Sequence, residues 1–150
     1  MSIESEEINV KAFLKLIRFA EHGRDDPAVY NTLYGGSTFT GYTAHPNKRM
    51  KRWGFESTAA GAYQILYRTW LEAKTQGVVS DFSPANQDKL ARRKLETRRA
   101  LPYIRTGNIE AAIPLLRKEW TSLPGAEQSK MPMEKARHLF DGFVQEYTGK

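Results

Sequence analysis

Val10-Lys11-Ala12-Phe13-Leu14-Lys15-Leu16-Ile17-Arg18-Phe19-Ala20-Glu21-His22-Gly23 is the stretch on which the reading of this chain turns. Val10, Phe13, Leu14, Ile17 and Glu21 recur at spacings of three and four, one face of an α-helix. The pattern predicts a helix over about 8–21, stopped by Gly23 in the left-handed conformation. At about 100° per residue, the steps from Val10 to Glu21 return to within roughly 20° of the starting direction. A carboxylate therefore extends an inward-facing apolar stripe. Desolvation there disfavours its charged form, and the negative end of the helix dipole disfavours it further. Both push its pKa upward, as a general acid working near neutral pH requires. The alternative is that Glu21 swings out at the helix end, or pairs with Arg18 or Arg24.

Beyond Gly23 the character changes. Residues 25–55 are rich in Gly, Thr, Tyr and Asn and carry no helical periodicity. Val29-Tyr30-Asn31-Thr32-Leu33-Tyr34 reads as a strand, Gly35-Gly36 as a two-residue turn, and Ser37-Thr38-Phe39-Thr40 as the returning strand. From residue 57 the chain reads as helical to the end. Ser57 or Thr58 caps a helix running to about Thr75 that carries Ala60, Tyr63, Tyr67 and Trp70 on one face. Ser83-Pro84 starts another, Asn108 caps a third, and Pro114 predicts a kink or break inside it. A last helix carries Met133, Ala136, Phe140, Phe143 and Tyr147. The expectation is an α+β chain, mostly helical with one small antiparallel sheet. It reads as a single domain over 1–150, with a small β-containing lobe at about 25–56.

Composition narrows the chemistry. The 150 residues include no cysteine, which excludes a disulfide scaffold, a thiol nucleophile and thiolate metal sites. His22, His45 and His138 are scattered without ligand spacing, so neither a metal nor a cofactor is expected. The net charge of +6 favours an anionic partner. Lys48-Arg49-Met50-Lys51-Arg52 and Arg92-Arg93-Lys94 with Arg98-Arg99 are the basic clusters, read here as attraction to an anionic cell wall. A nucleic-acid-binding module is the reading from another class. The acidic N-terminus has no secretory layout, and no apolar run approaches the ~18–20 residues that span a bilayer, so stable membrane insertion is not expected.

Two groups of residues carry a resemblance. Phe39-Thr40-Gly41-Tyr42-Thr43-Ala44-His45-Pro46 and Ser57-Thr58-Ala59-Ala60-Gly61-Ala62-Tyr63-Gln64-Ile65-Leu66 resemble the lambda-type phage lysozymes. Asp81-Phe82-Ser83-Pro84-Ala85-Asn86-Gln87-Asp88, Ala100-Leu101-Pro102 and Trp120-Thr121-Ser122-Leu123-Pro124-Gly125-Ala126 are similar to later blocks of that family, in order. The resemblance implies a lysozyme-like fold with a substrate cleft beside a small β lobe. It implies an endolysin, a peptidoglycan lytic transglycosylase cutting between N-acetylmuramic acid and N-acetylglucosamine to leave 1,6-anhydro ends. Glu21 maps to the family's catalytic acid. Gly61-Ala62-Tyr63-Gln64 is similar to the Gly-Leu-Met-Gln motif of goose-type lysozymes, whose glutamine lines the cleft. Asn31, Gly41 and Ala44 stand where family members can carry acids, and His22 where many related transglycosylases have serine.

Substrate contacts expected from these blocks are Tyr42, Ser57, Thr58, Tyr63 and Gln64, the last two at the start of a helix by analogy. Without the resemblance, Tyr63 reads as core and Gln64 as surface. Among the aromatics of the non-helical part, several are expected to stack on sugar rings, Tyr42 foremost, while Phe39 and Phe55 read as core. Asp25, Asp26 and Glu56 are the carboxylates that a water-using muramidase would need as its second group. An endolysin of this kind would wait in the host cytoplasm until a separate holin opens the way to the periplasmic wall. It is expected to act as a monomer and to bind no nucleic acid.

Overall fold

The computed structural model describes residues 1–149. They form two compact units, one of Met1–Gly23 with the chain from Arg92 onward, the other Arg24–Ala91. The helix α1 (Ile3–His22) is the spine of the first unit. It starts ahead of the predicted residue 8, because Ser2 accepts the Ser5 N–H at 3.0 Å and Glu4 and Glu6 lie in its first turn. An acidic, exposed first turn suits the positive end of the helix dipole but is invisible to a search for apolar periodicity. At the other end the Gly23 N–H donates to the Phe19 carbonyl at 2.7 Å with φ 71°, which terminates the helix as expected.

The predicted stripe is the buried one. Val10, Phe13, Leu14 and Ile17 are buried, joined by Ala12 and Leu16. α1 packs on α6 (Met133–Thr148) and α4 (Leu101–Arg105), and α4 packs on α5 (Ile109–Leu116). Phe13 meets Phe140 edge-on at 6.5 Å between ring centres, and Asn9 donates from Nδ2 to the Arg105 carbonyl at 2.8 Å. Asn108 caps α5 as expected, but the helix passes through Pro114 and ends two residues later at Leu116.

The second unit corrects the strand reading. Residues 29–34 are not a strand: Pro27–Asn31 is a 3-10 helix whose first free N–H, that of Ala28, is bonded by Asp26 at 2.9 Å. Asp-Pro at a helix start is a stronger local signal than the β-branched residues that follow it. Of the expected hairpin only an isolated bridge between Thr32 and Thr38 remains. The antiparallel pair is β1 (Met50–Arg52) and β2 (Phe55–Ser57), in the register Lys51 opposite Glu56. Trp53 and Gly54 join them with φ 52° and 79°, the two positive values that a type I′ turn demands. Phe55, read from sequence as core, is 61% exposed.

The helix expected from Ser57 or Thr58 is also shorter. α2 spans Tyr67–Thr75, and residues 58–66 fold as a turn closed by the Ala60–Ile65 bridge. Gly61 (φ 83°) and Gln64 (φ 49°) are left-handed, which no helix accommodates. A β-carbon on Gly61 would also collide with the Gln87 Oε1 atom. Gln87 is fully buried and ties the unit together: Oε1 accepts the Ala62 N–H at 2.9 Å, while Nε2 donates to the Phe82 and Tyr30 carbonyls at 2.9 and 3.1 Å. His45 is a second buried tie. Its Nδ1 accepts the Asn47 N–H at 2.9 Å, so Nε2 carries the proton and donates to the Ile65 carbonyl at 2.7 Å. Burial lowers its pKa, which keeps this neutral tautomer. α3 (Pro84–Thr97) begins where Ser83-Pro84 predicts, with Asp81 accepting the Ser83 N–H at 3.0 Å.

Candidate active site

Glu21 occupies the last turn of α1, half-buried, where Gly23 fixes the helix end. Desolvation raises its pKa to about 7, against smaller lowering effects from the Ser122 hydroxyl and the Lys94 charge. The dominant cause is the one its place on the apolar stripe predicts. Protein surrounds most of the carboxyl group while part of the residue stays accessible, so it is dry enough to hold a proton at neutral pH and open enough to exchange one. Near pH 7 such a group donates and accepts with equal ease. Arg24, one expected partner, is engaged elsewhere: its Nε bonds Asp26 at 2.7 Å.

Ser122 donates its hydroxyl proton to Glu21 Oε2. Ser122 lies inside the Trp120-to-Ala126 block, and the sequence alone assigns it no role. Its loop is held from several sides. Trp120 and Leu123 are buried anchors on either side of it, and Ser129 Oγ donates to the Ser122 carbonyl at 3.0 Å. Arg117 Nε donates to the Pro124 carbonyl at 2.8 Å, so close to Gly125 that a β-carbon there would collide with the guanidinium. Lys94, the second group felt by Glu21, bonds Glu119 at 2.8 Å and lies 5.7 Å from the Trp120 ring centre. Burial alone would raise Glu119; Lys94 and Arg98 hold it below its ordinary range. Two glutamates of one unit are thus pushed in opposite directions, and Glu119 commits both oxygens to cations.

The other expected residues lie in the second unit. Tyr42 is half-buried, its hydroxyl donating to Asn31 Oδ1 at 2.6 Å and its ring edge-on to Phe39. Ser57 closes β2 and accepts the Ala59 N–H at 3.0 Å; Thr58 accepts the Tyr67 N–H that opens α2 at 3.1 Å. Gln64 is half-buried and donates twice from Nε2, to the Gly61 and Thr32 carbonyls at 3.0 and 3.2 Å. Its Oε1 keeps its acceptor capacity for solvent or a ligand, since no buried side-chain polar atom among the described residues lacks a partner. Tyr63 differs from expectation. It is 1% exposed and its hydroxyl donates to Asp88 Oδ1 at 2.6 Å, so it offers no ring face to a sugar. The same Asp88 oxygen accepts the Tyr30 hydroxyl at 2.7 Å. Asp88 and Gln87 have structural roles here that carry no local signature in the sequence. Of the carboxylates considered for a second role, Asp26 is the cap of the 3-10 helix and Glu56 is exposed opposite Lys51.

Comparison with known proteins gives the family and the fold. The family model described as Endolysin matches residues 11–149. The endolysin of Escherichia phage lambda is 39% identical over 122 residues, covering 77% of each chain. That of Escherichia phage P2 is 38% identical over 133 residues, 79% of this chain and 81% of its own. Among solved structures, bacteriophage lambda lysozyme complexed with a chitohexasaccharide superposes with a TM-score of 0.82 at 33% identity, covering 95% of this chain and 96% of its own. A second lambda lysozyme structure gives 0.74 at 30% identity, covering 99% and 96%. With six α-helices and one short antiparallel pair among the described residues, and with this match, the chain belongs to the endolysin family and has the α+β lysozyme-like fold of its lambda member.

Proposed function

We propose that this endolysin cleaves peptidoglycan glycan strands as a lytic transglycosylase, with Glu21 as its one catalytic acid and base. The observation that carries the reading is the Glu21 carboxyl, raised to about 7 by desolvation and held by Ser122. The solved lambda lysozyme complex with a chitohexasaccharide supports a glycan as the substrate class. Glu21 protonates the oxygen joining N-acetylmuramic acid to N-acetylglucosamine, and the C1–O bond breaks to leave an oxocarbenium-like sugar. The resulting carboxylate takes the proton of the muramoyl C6 hydroxyl as O6 closes on C1. Glu21 ends protonated, a 1,6-anhydro end forms, and no water is consumed. A single carboxylate suffices, where the hydrolytic schemes need two.

Two other acids are taken up elsewhere, Asp26 as the cap of the 3-10 helix and Glu119 by two cations, which supports a scheme with one carboxylate. Mass spectrometry of released muropeptides tests it: ends lighter by one water than reducing ends are expected, and reducing ends would establish a muramidase. Glu21→Gln should abolish lysis, while Asp25→Asn and Asp26→Asn retain most of it. Near-total loss from either Asp change would favour the two-carboxylate scheme. Tyr42, Ser57, Thr58 and Gln64 are the proposed substrate contacts; Tyr63 supports them from the core through Asp88. The chain acts as a monomer, without cofactor, on the wall once a separate holin opens the inner membrane. No described helix is long and apolar enough to cross a membrane. The nucleic-acid reading is disfavoured by the α3 cluster, where Arg92 is bonded to Glu7 and both Lys94 and Arg98 to Glu119.

A further inference from the structure

Between the end of α2 and the first turns of α3 lies a cavity that the proposed cleavage does not use. Its volume is about 490 Å³, and Lys74, Gly77, Val79, Ser80, Asn86 and Lys89 line it, all within the second unit. None of them is a proposed glycan contact. Gly77, at φ 75°, closes the end of α2: its N–H donates to the Lys74 carbonyl at 3.0 Å, and the Val78 N–H to the Ala73 carbonyl at 2.9 Å. The next two N–H groups, those of Val79 and Ser80, meet no acceptor among the described residues. Both charged groups that line the cavity are cations. Lys74 and Lys89 are exposed, and neither forms an ion pair among the described residues. The carboxylates nearby in sequence are engaged. Asp81 Oδ1 accepts the Ser83 N–H at 3.0 Å and Asn86 Nδ2 at 2.7 Å, while Asp88 Oδ1 accepts the Tyr30 and Tyr63 hydroxyls. Asp81 and Ser83 thereby take up the start of α3, so the donors left to the cavity are the two ammonium groups, the Ser80 hydroxyl and the loop N–H groups.

We propose that this cavity is an accessory site for the acidic peptide stems of peptidoglycan. The proposal rests on the wall polymer as substrate but not on the role of Glu21. In that polymer the lactyl carboxyls are joined to the peptides, so the sugar backbone is uncharged and the negative charge lies in the stems. A cavity lined by two cations and no carboxylate therefore matches the stem and not the glycan. Lys74 stands on α2 and Lys89 on α3, an arrangement suited to two carboxylates carried by one extended chain. The Ser80 hydroxyl and the N–H groups of Val79 and Ser80 are donors for a carboxylate or a peptide carbonyl. The volume is in the range of sites that hold small organic ligands, and larger than one inorganic anion fills. Lys74, Gly77, Ser80 and Lys89 are exposed, so a branch of a polymer reaches the site without threading. Each contact is weak and screened by salt. Its value is a second point of attachment on a substrate already held by its glycan, which raises the effective concentration of the enzyme at the wall.

The full-length chain, labelled with 15N, is titrated with the free stem tripeptide L-alanyl-γ-D-glutamyl-diaminopimelate. The backbone amides of Gly77, Val79 and Ser80 should shift and saturate, and the tripeptide with its carboxyls amidated should leave them in place. Lys74→Gln and Lys89→Gln should each weaken binding about threefold at low salt, the effect of one exposed ion pair. Lys118→Gln, an exposed cation of the other unit, should not change it. On purified wall, the variant carrying both Lys74→Gln and Lys89→Gln should show a raised KM with kcat unaltered. On glycan stripped of its stems by an amidase it should match the parent. Three results would overturn the proposal: no saturable shift at these amides, an equal loss from Lys118→Gln, or inorganic phosphate bound as tightly as the tripeptide, which would make this a site for charge alone. The cleavage reading fails separately. Reducing ends among the wall products would sink the transglycosylase scheme and leave the tripeptide titration standing, whereas anhydro ends with unmoved amides would do the reverse.

Discussion

Replacing Glu21 by Gln should remove activity and strengthen the fold, and the second effect has a calculable size and pH window. The carboxyl titrates at about 7 in the folded chain against 4.5 for an unburied glutamate. Below pH 4.5 both states hold the proton and the acid imposes no penalty. Between 4.5 and 7 the unfolded chain releases its proton first, so the folded state loses stability as pH rises; above 7 the loss is complete. At 1.36 kcal/mol for each pH unit between the two values, the full loss is about 3 kcal/mol. Gln is the uncharged isostere and keeps an oxygen for the Ser122 hydroxyl. Urea unfolding of both proteins at pH 4, 6 and 8.5 isolates the effect, because any constant cost of the substitution cancels in the pH dependence. The variant should gain progressively on the wild type, reaching a few kcal/mol by pH 8.5 relative to pH 4. A difference that stays flat with pH, or that turns against the variant at pH 8.5, would refute the claim that burial governs this carboxyl.

Other consequences are equally direct. Ser122→Ala removes a hydrogen bond that favours the charged form of Glu21, so the alkaline limb of kcat/KM should move up by roughly one pH unit. A uniform loss of rate with the limb unmoved would show that Ser122 only fills space. Lys94→Met removes the attraction of a positive charge and should move the same limb in the same direction, measured on isolated wall at fixed ionic strength. Gly61→Ala forces a β-carbon against Gln87 at a left-handed position. It should cost about 3 kcal/mol or more in thermal or urea unfolding, with an unaltered melt counting against Gln87 as the tie of the second unit.

How much of this was legible in the sequence follows from the range of the interactions. The α1 stripe, the Gly23 stop, the Ser83-Pro84 start and the Asn108 cap are local, set by residues within about one turn. They were readable for that reason, and so was the direction of the Glu21 perturbation, which needs only its place on the stripe and at the helix end. Strand placement failed where two local signals competed. Asp26-Pro27 opened a 3-10 helix over a segment with β-type residues, while a basic, aromatic run that read only as a charge cluster became the hairpin. Gly61 and Gln64 broke a periodic pattern because their backbone conformations answer to Gln87 and Thr32, distant along the chain. The Ser122 bond joins residues 101 positions apart and has no local signature at all. Only the resemblance of the surrounding block marked that loop for attention.

The most direct measurement is the titration of the Glu21 side chain itself. In a sample labelled with 13C at glutamate side-chain carboxyls, the resonance absent from Glu21→Gln identifies it. The account predicts a midpoint near pH 7, well above the 4.5 of an unburied glutamate. A midpoint near 4.5 would contradict it, because a carboxyl ionised throughout the neutral range has no proton to give the glycan oxygen.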